Sequence, residues 1–205
     1  MSVQRIHAAV VGMVLLGTWV SCSGVSHQGN QSVKMIDLTY RPIAAGVVPA
    51  AKAGQEIVIN KLKDEREPGP LGEASNYGGH VFFVVQTNND VSAWVTKALA
   101  TELGQAGFKV VAGDGTPDPQ RFVVNGVVNE ITVHGIITNM RLTLQVTKDY
   151  KVVANASFNS DAQGYKEPFF NTVYTEDYPQ LFAVTLKNLM LQAVPTMVNA
   201  MNSEP

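Results

Sequence analysis

Two alternating runs, MRLTLQVT at 140–147 and VVANASF at 152–158, give the clearest structural signal in this chain. Apolar residues occupy every second position, from Met140 to Val146 in the first run and from Val152 to Phe158 in the second. Because successive side chains of a strand point to opposite faces, each run predicts a half-buried β-strand. The connection at 148–151 is short, so the two strands should be antiparallel neighbours.

The β pattern extends in both directions along the chain. A third apolar segment, 122–133, precedes the pair and is joined to it by a short connection at 134–138, which predicts an antiparallel meander of three strands. Further strands are predicted earlier in the chain, at 34–40, 56–63, 81–86 and 108–112. Between the second and third of these, residues 64–80 are rich in proline and glycine and predict a long loop.

Two helices are predicted from apolar residues at 3.6-residue spacing, over 90–106 and about 178–201. Asp90 is a suitable N-cap for the first helix, and Gly107 provides its stop. In the second helix, Pro195 should introduce a kink or end the helix early.

These elements predict an α+β fold, in which an antiparallel meander sheet has two amphipathic helices packed on one face and a polar opposite face. The chain has 205 residues, of which 45% are hydrophobic and 16% charged, enough for one packed domain. Its net charge of −2 argues against a nucleic-acid partner.

The N-terminus predicts a targeting segment. Arg5 precedes an apolar run from Ala8 to Val20, which is shorter than the roughly 20 residues that span a membrane and is typical of a secretory signal. The single cysteine, Cys22, follows this run directly. We therefore predict a signal peptide over 1–21, a flexible polar tether over 22–32, and one globular domain over 33–205.

The sequence around Cys22, WVSC at 19–22, resembles the lipobox of bacterial lipoproteins, in which a small residue precedes a cysteine that becomes acylated. Trp19 departs from the aliphatic residue usual at its position. Ordinary signal cleavage after Ser23, which would discard Cys22, and an uncleaved anchor are the alternatives. Several acyl chains on one residue anchor a protein stably to a membrane.

Patterns that carry chemistry are few. The catalytic motifs of hydrolases, metalloproteases and nucleotide-binding proteins are absent from the sequence. His80 and His134 could serve a hydrolase, but a polar loop histidine is the simpler interpretation. Acidic residues occur at Asp114 and Asp118 and in the cluster Asp64, Glu65 and Glu67, where turn chemistry and a solvated charge run explain them without a metal or an acid–base pair. We predict no cofactor, no metal site and no enzymatic activity.

An aromatic cluster at 164–178, GYKEPFFNTVYTEDY, is the main candidate for binding a partner. Exposed aromatic residues often form the centre of a protein interface. The candidate binding residues are Tyr165, Phe169, Phe170 and Tyr174, with Tyr77 of the 64–80 loop as a weaker one. The alternative is that Phe169 and Phe170 fill the space between the sheet and the last helix.

The order of elements, with the helix-to-strand phrase ELGQAGFKV at 102–110, resembles the YajG-type group of small Gram-negative envelope lipoproteins. The resemblance covers about 33–200 and implies lipidation at Cys22. Because Ser23 is not the aspartate that retains lipoproteins at the inner membrane, it implies the outer membrane, facing the periplasm. Soluble periplasmic or secreted protein is the alternative.

From these observations we expect a non-enzymatic lipoprotein that binds another envelope protein, anchored through its N-terminal lipid. A carrier with an apolar pocket for a lipid or small molecule between helices and sheet is the alternative function. The oligomeric state is not predicted.

Overall fold

The computed structural model describes residues 32–75, 81–116, 118–164 and 178–204. The predicted signal peptide, 1–21, and all of the predicted tether except Ser32 lie outside them. The described chain forms a mixed α+β fold of nine strands and two helices. In chain order these are β1 Ser32–Met35, β2 Glu56–Ile59, β3 Lys63–Asp64, β4 Gly72–Ser75, β5 Val81–Gln86, α1 Val91–Gln105, β6 Lys109–Ala112, β7 Phe122–His134, β8 Ile137–Lys148, β9 Lys151–Gln163 and α2 Tyr178–Ser203.

The central strand of the sheet is β7, which is long enough to pair with several other strands. Along one of its edges, β8 pairs antiparallel, and β9 pairs antiparallel with β8 in turn. Along its other edge, β2, β3 and β4 pair with β7 one after another, all parallel to it. Beyond them, β6 pairs with β2, β5 with β4, and β1 with β5.

The predicted antiparallel meander sheet is correct for the long ladders only, since several short ladders are parallel. Between β4 and β7 the chain passes through β5, α1 and β6, and this long crossover returns β7 in the same direction as β2 to β4. Parallel pairing requires such a crossover, which local hydrophobic patterning does not reveal.

The early strands also differ from the prediction in their bounds. The predicted strand at 34–40 is observed at Ser32–Met35, so it begins two residues earlier and ends five residues earlier. It ends there because its partner β5 ends at Gln86, whose carbonyl accepts the last ladder bond from Ile36. The predicted strand at 56–63 is divided into β2 and β3. The predicted loop at 64–80 contains β4, and Leu71 just before it is 2% exposed and pairs with the backbone of Val85 and Val133.

Helix α1 follows the sequence signals closely. The side chain of Asp90 accepts a hydrogen bond from the backbone N–H of Ala93, as an N-cap should. At the other end, Gly107 adopts φ +103°, and Phe108 donates its N–H to the carbonyl of Leu103. This closing turn requires the left-handed conformation that glycine adopts at low cost.

Helix α2 runs through Pro195 to Ser203, so of the two predicted outcomes, a kink or an early end, the early end is wrong. Val194, Met197 and Val198 beside it are fully buried, and this packing offsets the backbone hydrogen bond that proline cannot make. Within the described residues, α2 is also the one helix long and apolar enough to cross a membrane, but most of its apolar window is buried in the domain.

Both helices contribute to one core cluster with the sheet. Helix α2 contacts β8, β9 and α1, while α1 contacts β3 and β6. The alternating apolar residues of β8 all point into this core and are at most 3% exposed: Met140, Leu142, Leu144 and Val146. One buried polar contact crosses the layers, between the hydroxyls of Thr138 and Thr185 at 2.6 Å.

Candidate functional site

The residues predicted to bind a partner lie outside the described residues. These are Tyr77, Tyr165, Phe169, Phe170 and Tyr174, and the same holds for the lipidation candidate Cys22 and for His80. The described residues next to these segments nevertheless establish where each segment is attached to the domain.

The residues that flank these segments lie together at one end of the sheet. Ser32 of β1, Phe83 of β5 and Ala74 of β4 lie side by side in the ladders. The turn between β7 and β8, Gly135–Ile136, lies next to them, because Gly135 donates its N–H to the carbonyl of Glu73 at 3.1 Å. We call this end, defined by Ser32, Ala74, Phe83 and the turn at 135–136, the entry end.

Two of the undescribed internal segments, 76–80 and 165–177, are flanked on both sides by residues of the entry end. Segment 76–80 lies between Ser75 and Val81, each close to the Ala74–Phe83 pair in sequence. Segment 165–177 lies between Gly164, whose N–H bonds to the carbonyl of Ile136 at 2.9 Å, and Tyr178, whose hydroxyl donates to the carbonyl of Gly135 at 2.7 Å. The described chain also begins there, at Ser32, so three predicted functional segments have their attachment points together.

The boundary of the aromatic segment is fixed in the core. Tyr178 is fully buried, and its ring meets that of Phe83 edge-on, with centroids 6.0 Å apart. Such a contact stabilises a pair beyond the area it buries. Of the aromatic residues in 164–178, Tyr178 therefore has a packing role, and it ties the start of α2 to β5.

Apolar side chains are exposed close to the entry end. Val33 and Met35 of β1 are 53% and 45% exposed, and their spacing places them on one face of the strand. Ile137, the first residue of β8, is 39% exposed. Within the described residues, β1 is the outermost strand on its side of the sheet and pairs with β5 alone. The three side chains add apolar surface beside the attachment points.

The opposite end of the sheet is built differently. There β8 and β9 are joined by a two-residue turn in which Asp149 and Tyr150 have φ of +50° and +61°. We call this the hairpin end, defined by residues 148–151. Tyr150 is 74% exposed and Val152 57% exposed. Left-handed backbone at a tyrosine is strained, since asparagine and glycine are the residues that adopt it readily.

Ion pairs hold the strand starts together near the hairpin end. Glu56 of β2 accepts from Lys109 Nζ at 2.9 Å and from Arg121 at 2.7 Å, and Arg121 also pairs with Asp118 at 2.5 Å. Hydrogen bonds from Lys109 and Arg121 lower the pKa of Glu56, and the bond from Arg121 lowers that of Asp118. These partly exposed groups link β2, β6 and the start of β7, which is a structural role.

The remaining chemical candidates have local partners. Asp114 accepts from the N–H of Thr116, and Asp118 from the N–H of Gln120, which are turn contacts. Asp64 forms a two-bond ion pair with Arg66, and hydrogen bonding from Arg66 lowers the pKa of Asp64. His134 is exposed at the end of β7. Across the described part of the chain, no three His, Cys, Asp or Glu side chains are grouped as a metal site would require.

A buried carboxyl group, Glu102 of α1, was not predicted as a special residue. It is 0% exposed, and its Oε1 accepts from the Tyr40 hydroxyl at 2.6 Å and from the Ile43 N–H at 3.0 Å. Burial, followed by the bond to Glu102, raises the pKa of Tyr40 well above the ordinary value. Glu102 falls within the buried stripe of α1, next to Leu103, so its spacing was the available signal.

A cleft and a small cavity are two described places that a ligand could enter. A polar cleft of about 280 Å³ crosses β7 to β9 and includes Arg141, which lies 3.4 Å from Glu130. Between α1, α2 and the sheet, a cavity lined by Val95, Leu186 and neighbours holds about 10 Å³. That space is about what a single water molecule requires, so an acyl chain does not fit this part of the interface.

The fold is shared with bacterial proteins of known structure. Protein XCC0632 of Xanthomonas campestris, from family DUF330, superposes with a TM-score of 0.52 and 13% identity, covering 82% of this chain and 96% of its own. The hypothetical protein CT253 of Chlamydia trachomatis gives a TM-score of 0.50 and 10% identity, covering 73% and 100%. A minor lipoprotein of Acinetobacter baumannii aligns more distantly, with a TM-score of 0.39, 12% identity, and 75% and 100% coverage.

No protein-family model and no curated protein sequence matches the chain. At these identities the structural similarities establish the fold alone. The chain therefore has a mixed α+β fold that also occurs in bacterial proteins, including one of family DUF330.

Proposed function

We propose that this protein is a bacterial envelope lipoprotein that binds another envelope protein through its entry end and performs no catalysis. The lipid would be attached at Cys22, and the domain would face the periplasm from the outer membrane. The observation that supports this most directly is the convergence at the entry end of the attachment points of the N-terminal segment, of the loop containing Tyr77 and of the aromatic segment.

The length of the N-terminal segment supports a role close to the membrane. Residues 23–31 separate Cys22 from β1, and fully extended they span about 30 Å at roughly 3.4 Å per residue. A domain restricted to this distance meets membrane partners at a raised effective concentration, which compensates for a weak intrinsic affinity. The entry end, where the tether joins the domain, is the part that this restriction holds nearest to the lipid.

The exposed apolar residues near the entry end suit the same role. Val33, Met35 and Ile137 would extend a contact made by Phe169 and Phe170, since aromatic and aliphatic side chains form the centres of protein interfaces. The partner would therefore present an apolar surface close to the membrane.

The carrier alternative is less well supported. It needs an apolar space between the helices and the sheet, and the cavity described there is about 10 Å³. A ligand pocket is usually some hundreds of Å³ in volume. We therefore retain the binding module as the proposal.

Site-specific photocrosslinking in the membrane tests the proposed surface. A photoreactive residue at Phe170 should yield one defined adduct with another envelope protein, and the same residue at Val47 should not. Val47 is a matched control because it is exposed and apolar but belongs to the segment beside the C-terminal end of α1. Equal adducts from both positions, or none from Phe170 in folded protein, would contradict the proposal.

A double variant tests whether the aromatic side chains contribute to that contact. Phe169→Ala with Phe170→Ala should lose at least about tenfold of the partner adduct, here captured through a crosslinker at Met35, because truncating hot-spot aromatics removes more than 1 kcal/mol each. Unchanged circular dichroism separates lost binding from lost folding. An undiminished adduct with the folded double variant would exclude these two residues as the binding site.

A further inference from the structure

The long strands β7, β8 and β9 carry a face of uncharged polar side chains. On β8 the even-numbered residues 140–146 are buried, so the odd-numbered residues point to the opposite face, beside their ladder partners on β9. Most of the residues in this double row are carboxamides and hydroxyls: Asn139, Thr143, Gln145, Asn155, Ser157 and Asn159. Such groups both donate and accept hydrogen bonds. We call this surface, defined by these six residues, the carboxamide face.

Asparagine is the residue of this face that local preference explains least. Its short amide competes for backbone hydrogen bonds, and it is therefore depleted in β-strands. The three strands nevertheless contain five asparagines, and all five lie on this one face: Asn125 and Asn129 of β7, Asn139 of β8, and Asn155 and Asn159 of β9.

The two asparagines of β7 have structural roles. The amide oxygen of Asn125 accepts a hydrogen bond from Asn60 at 2.8 Å, and that of Asn129 accepts from the Thr143 hydroxyl at 2.9 Å. The other three asparagines are exposed or half-exposed, and their amides make no side-chain hydrogen bond with the described residues. Residues that oppose the local preference of a strand without stabilising it are expected at binding sites.

Two of these three asparagines, Asn139 and Asn159, line the polar cleft that crosses β7 to β9. Its volume of about 280 Å³ lies near the roughly 300 Å³ at which small-molecule sites begin. A carboxamide presents a donor and an acceptor side by side, and two neighbouring hydroxyl groups on a sugar ring can bond to both. The cleft therefore offers the groups that a polyhydroxylated ligand requires.

The charges of the cleft argue against an anionic ligand. One positive residue, Arg141, lies in it with two negative ones, Glu130 and Asp161, and Arg141 is 3.4 Å from Glu130. Because the negative charges are in excess, the cleft repels phosphate groups, nucleic acids and acidic polysaccharides.

The pairing of β8 argues against a peptide strand as the ligand. At the centre of this face, β8 is paired along both edges, with β7 and with β9. Its backbone groups are used in these ladders, so a ligand meets side chains here, whereas an added peptide strand needs an unpaired edge.

We propose that the carboxamide face binds an uncharged polysaccharide, with sugar rings in the cleft and their neighbouring hydroxyls bonded to Asn139 and Asn159. Gln145 and Asn155, which are ladder partners, continue the surface along the strands towards the hairpin end. A chain of several sugars thus makes contacts beyond the cleft. This binding requires neither the lipid nor the protein partner of the proposed function, so each proposal can fail alone.

Titration of the full-length protein, extracted in a detergent without a sugar headgroup, tests the binding directly. The probes are cellotetraose, which offers hydroxyl groups alone, and tetra-N-acetylchitotetraose, which adds acetamido groups. In ¹⁵N-labelled protein the side-chain amide signals of Asn139 and Asn159 should shift with at least one probe at millimolar concentration. The shifts should be equal at low and high salt, because no charge pair is involved. Absence of shifts with both probes, or shifts with polygalacturonate alone, overturns the proposal.

A double variant tests whether the amides themselves bind the sugar. Asn139→Ala with Asn159→Ala should weaken binding of the same probe at least about tenfold, since each lost hydrogen bond weakens binding several-fold. Asn199→Ala is the matched control, because it also removes an exposed asparagine amide, but from α2, and should leave the affinity unchanged. Circular dichroism checks that each variant is folded. Unchanged affinity of the folded double variant, or an equal loss in N199A, contradicts the proposal.

Discussion

The entry end and the hairpin end of this sheet are built on different principles. At the hairpin end, β8 and β9 are joined by two residues, and ion pairs around Glu56 and Arg121 fix the strand starts. At the entry end, short strands flank the attachment points of residues 76–80 and 165–177, and apolar side chains of β1 are exposed. The hairpin end is therefore held by a tight turn and ion pairs, whereas the entry end carries the attachment points of the segments proposed to bind a partner, an arrangement that resembles folds whose binding loops stand on a scaffold of regular elements.

The largest effect is expected from removing the tether at the entry end. Cys22→Ser eliminates the sulfur that would be acylated, so the protein should move almost completely from the membrane fraction to the soluble periplasmic fraction, because anchoring then lacks its acyl chains. Fractionation with immunoblotting measures this distribution. Ser21→Ala, which keeps a small residue before the cysteine, is the control and should remain membrane-bound. Membrane retention of C22S would contradict anchoring through acylation of Cys22.

The second effect concerns the strand pairing that builds the entry end. A Cβ at Gly72 would lie 1.9 Å from the carbonyl oxygen of Val133, whereas Gly69 has almost the same φ and open space around it. Gly72→Ala should therefore destabilise the fold by about 2 kcal/mol more than Gly69→Ala, since backbone overlap cannot be relieved by rotating a side chain. Denaturant unfolding of the two variants measures the difference. Equal losses would show that β4 is not closely paired with β7.

The third effect concerns the segment that leads from β1 into the core. Tyr40→Phe removes a donor to buried Glu102 and should lower the free energy of unfolding by about 2 kcal/mol at neutral pH. Because the fold raises the pKa of Tyr40, its contribution is complete below pH 10 and is lost as the pH rises beyond that value.

The alkaline part of this prediction has its own control. The free energy of unfolding of the unmodified protein should fall more steeply above about pH 10 than that of Y40F, in which no hydroxyl ionises at this position. Parallel curves for the two proteins would mean that the Tyr40–Glu102 bond does not form in solution.

The smallest effect is expected at the hairpin end. Tyr150→Asn should stabilise the fold by about 0.5–1 kcal/mol, because asparagine adopts the left-handed backbone of this turn at lower cost than tyrosine. Tyr150→Ala keeps the strain and is the control, with no gain. Thermal unfolding measures both variants. A loss of stability in Y150N would show that the tyrosine ring stabilises this end in spite of its exposure.

Sequence patterns predicted the parts of the fold in which local physics decides the outcome. Leu142 and Leu144 alternate with polar residues and are buried, and Asp90 caps α1 as its position indicates. The parallel pairing of β4 with β7 was not predictable, because the partners are far apart in sequence and Gly72 and Pro70 lie in a segment with loop composition. Pro195 stays helical because tertiary packing outweighs its local preference.

The candidate site was harder to predict from the sequence than the fold. The aromatic composition of 164–178 pointed to a binding segment, yet only the fold brings the attachment points of that segment together with those of 76–80 and the N-terminal residues. Glu102 was overlooked because a glutamate in a helix is usually solvated, and its partners Tyr40 and Ile43 lie about 60 positions away.

The account depends most on the chemical state of the N-terminus, and intact mass spectrometry of the protein extracted from native membranes measures this state directly. We predict a chain that begins at Cys22 and carries the added mass of its acyl chains. A chain that begins at Gly24, or that carries no acyl mass, would contradict the account.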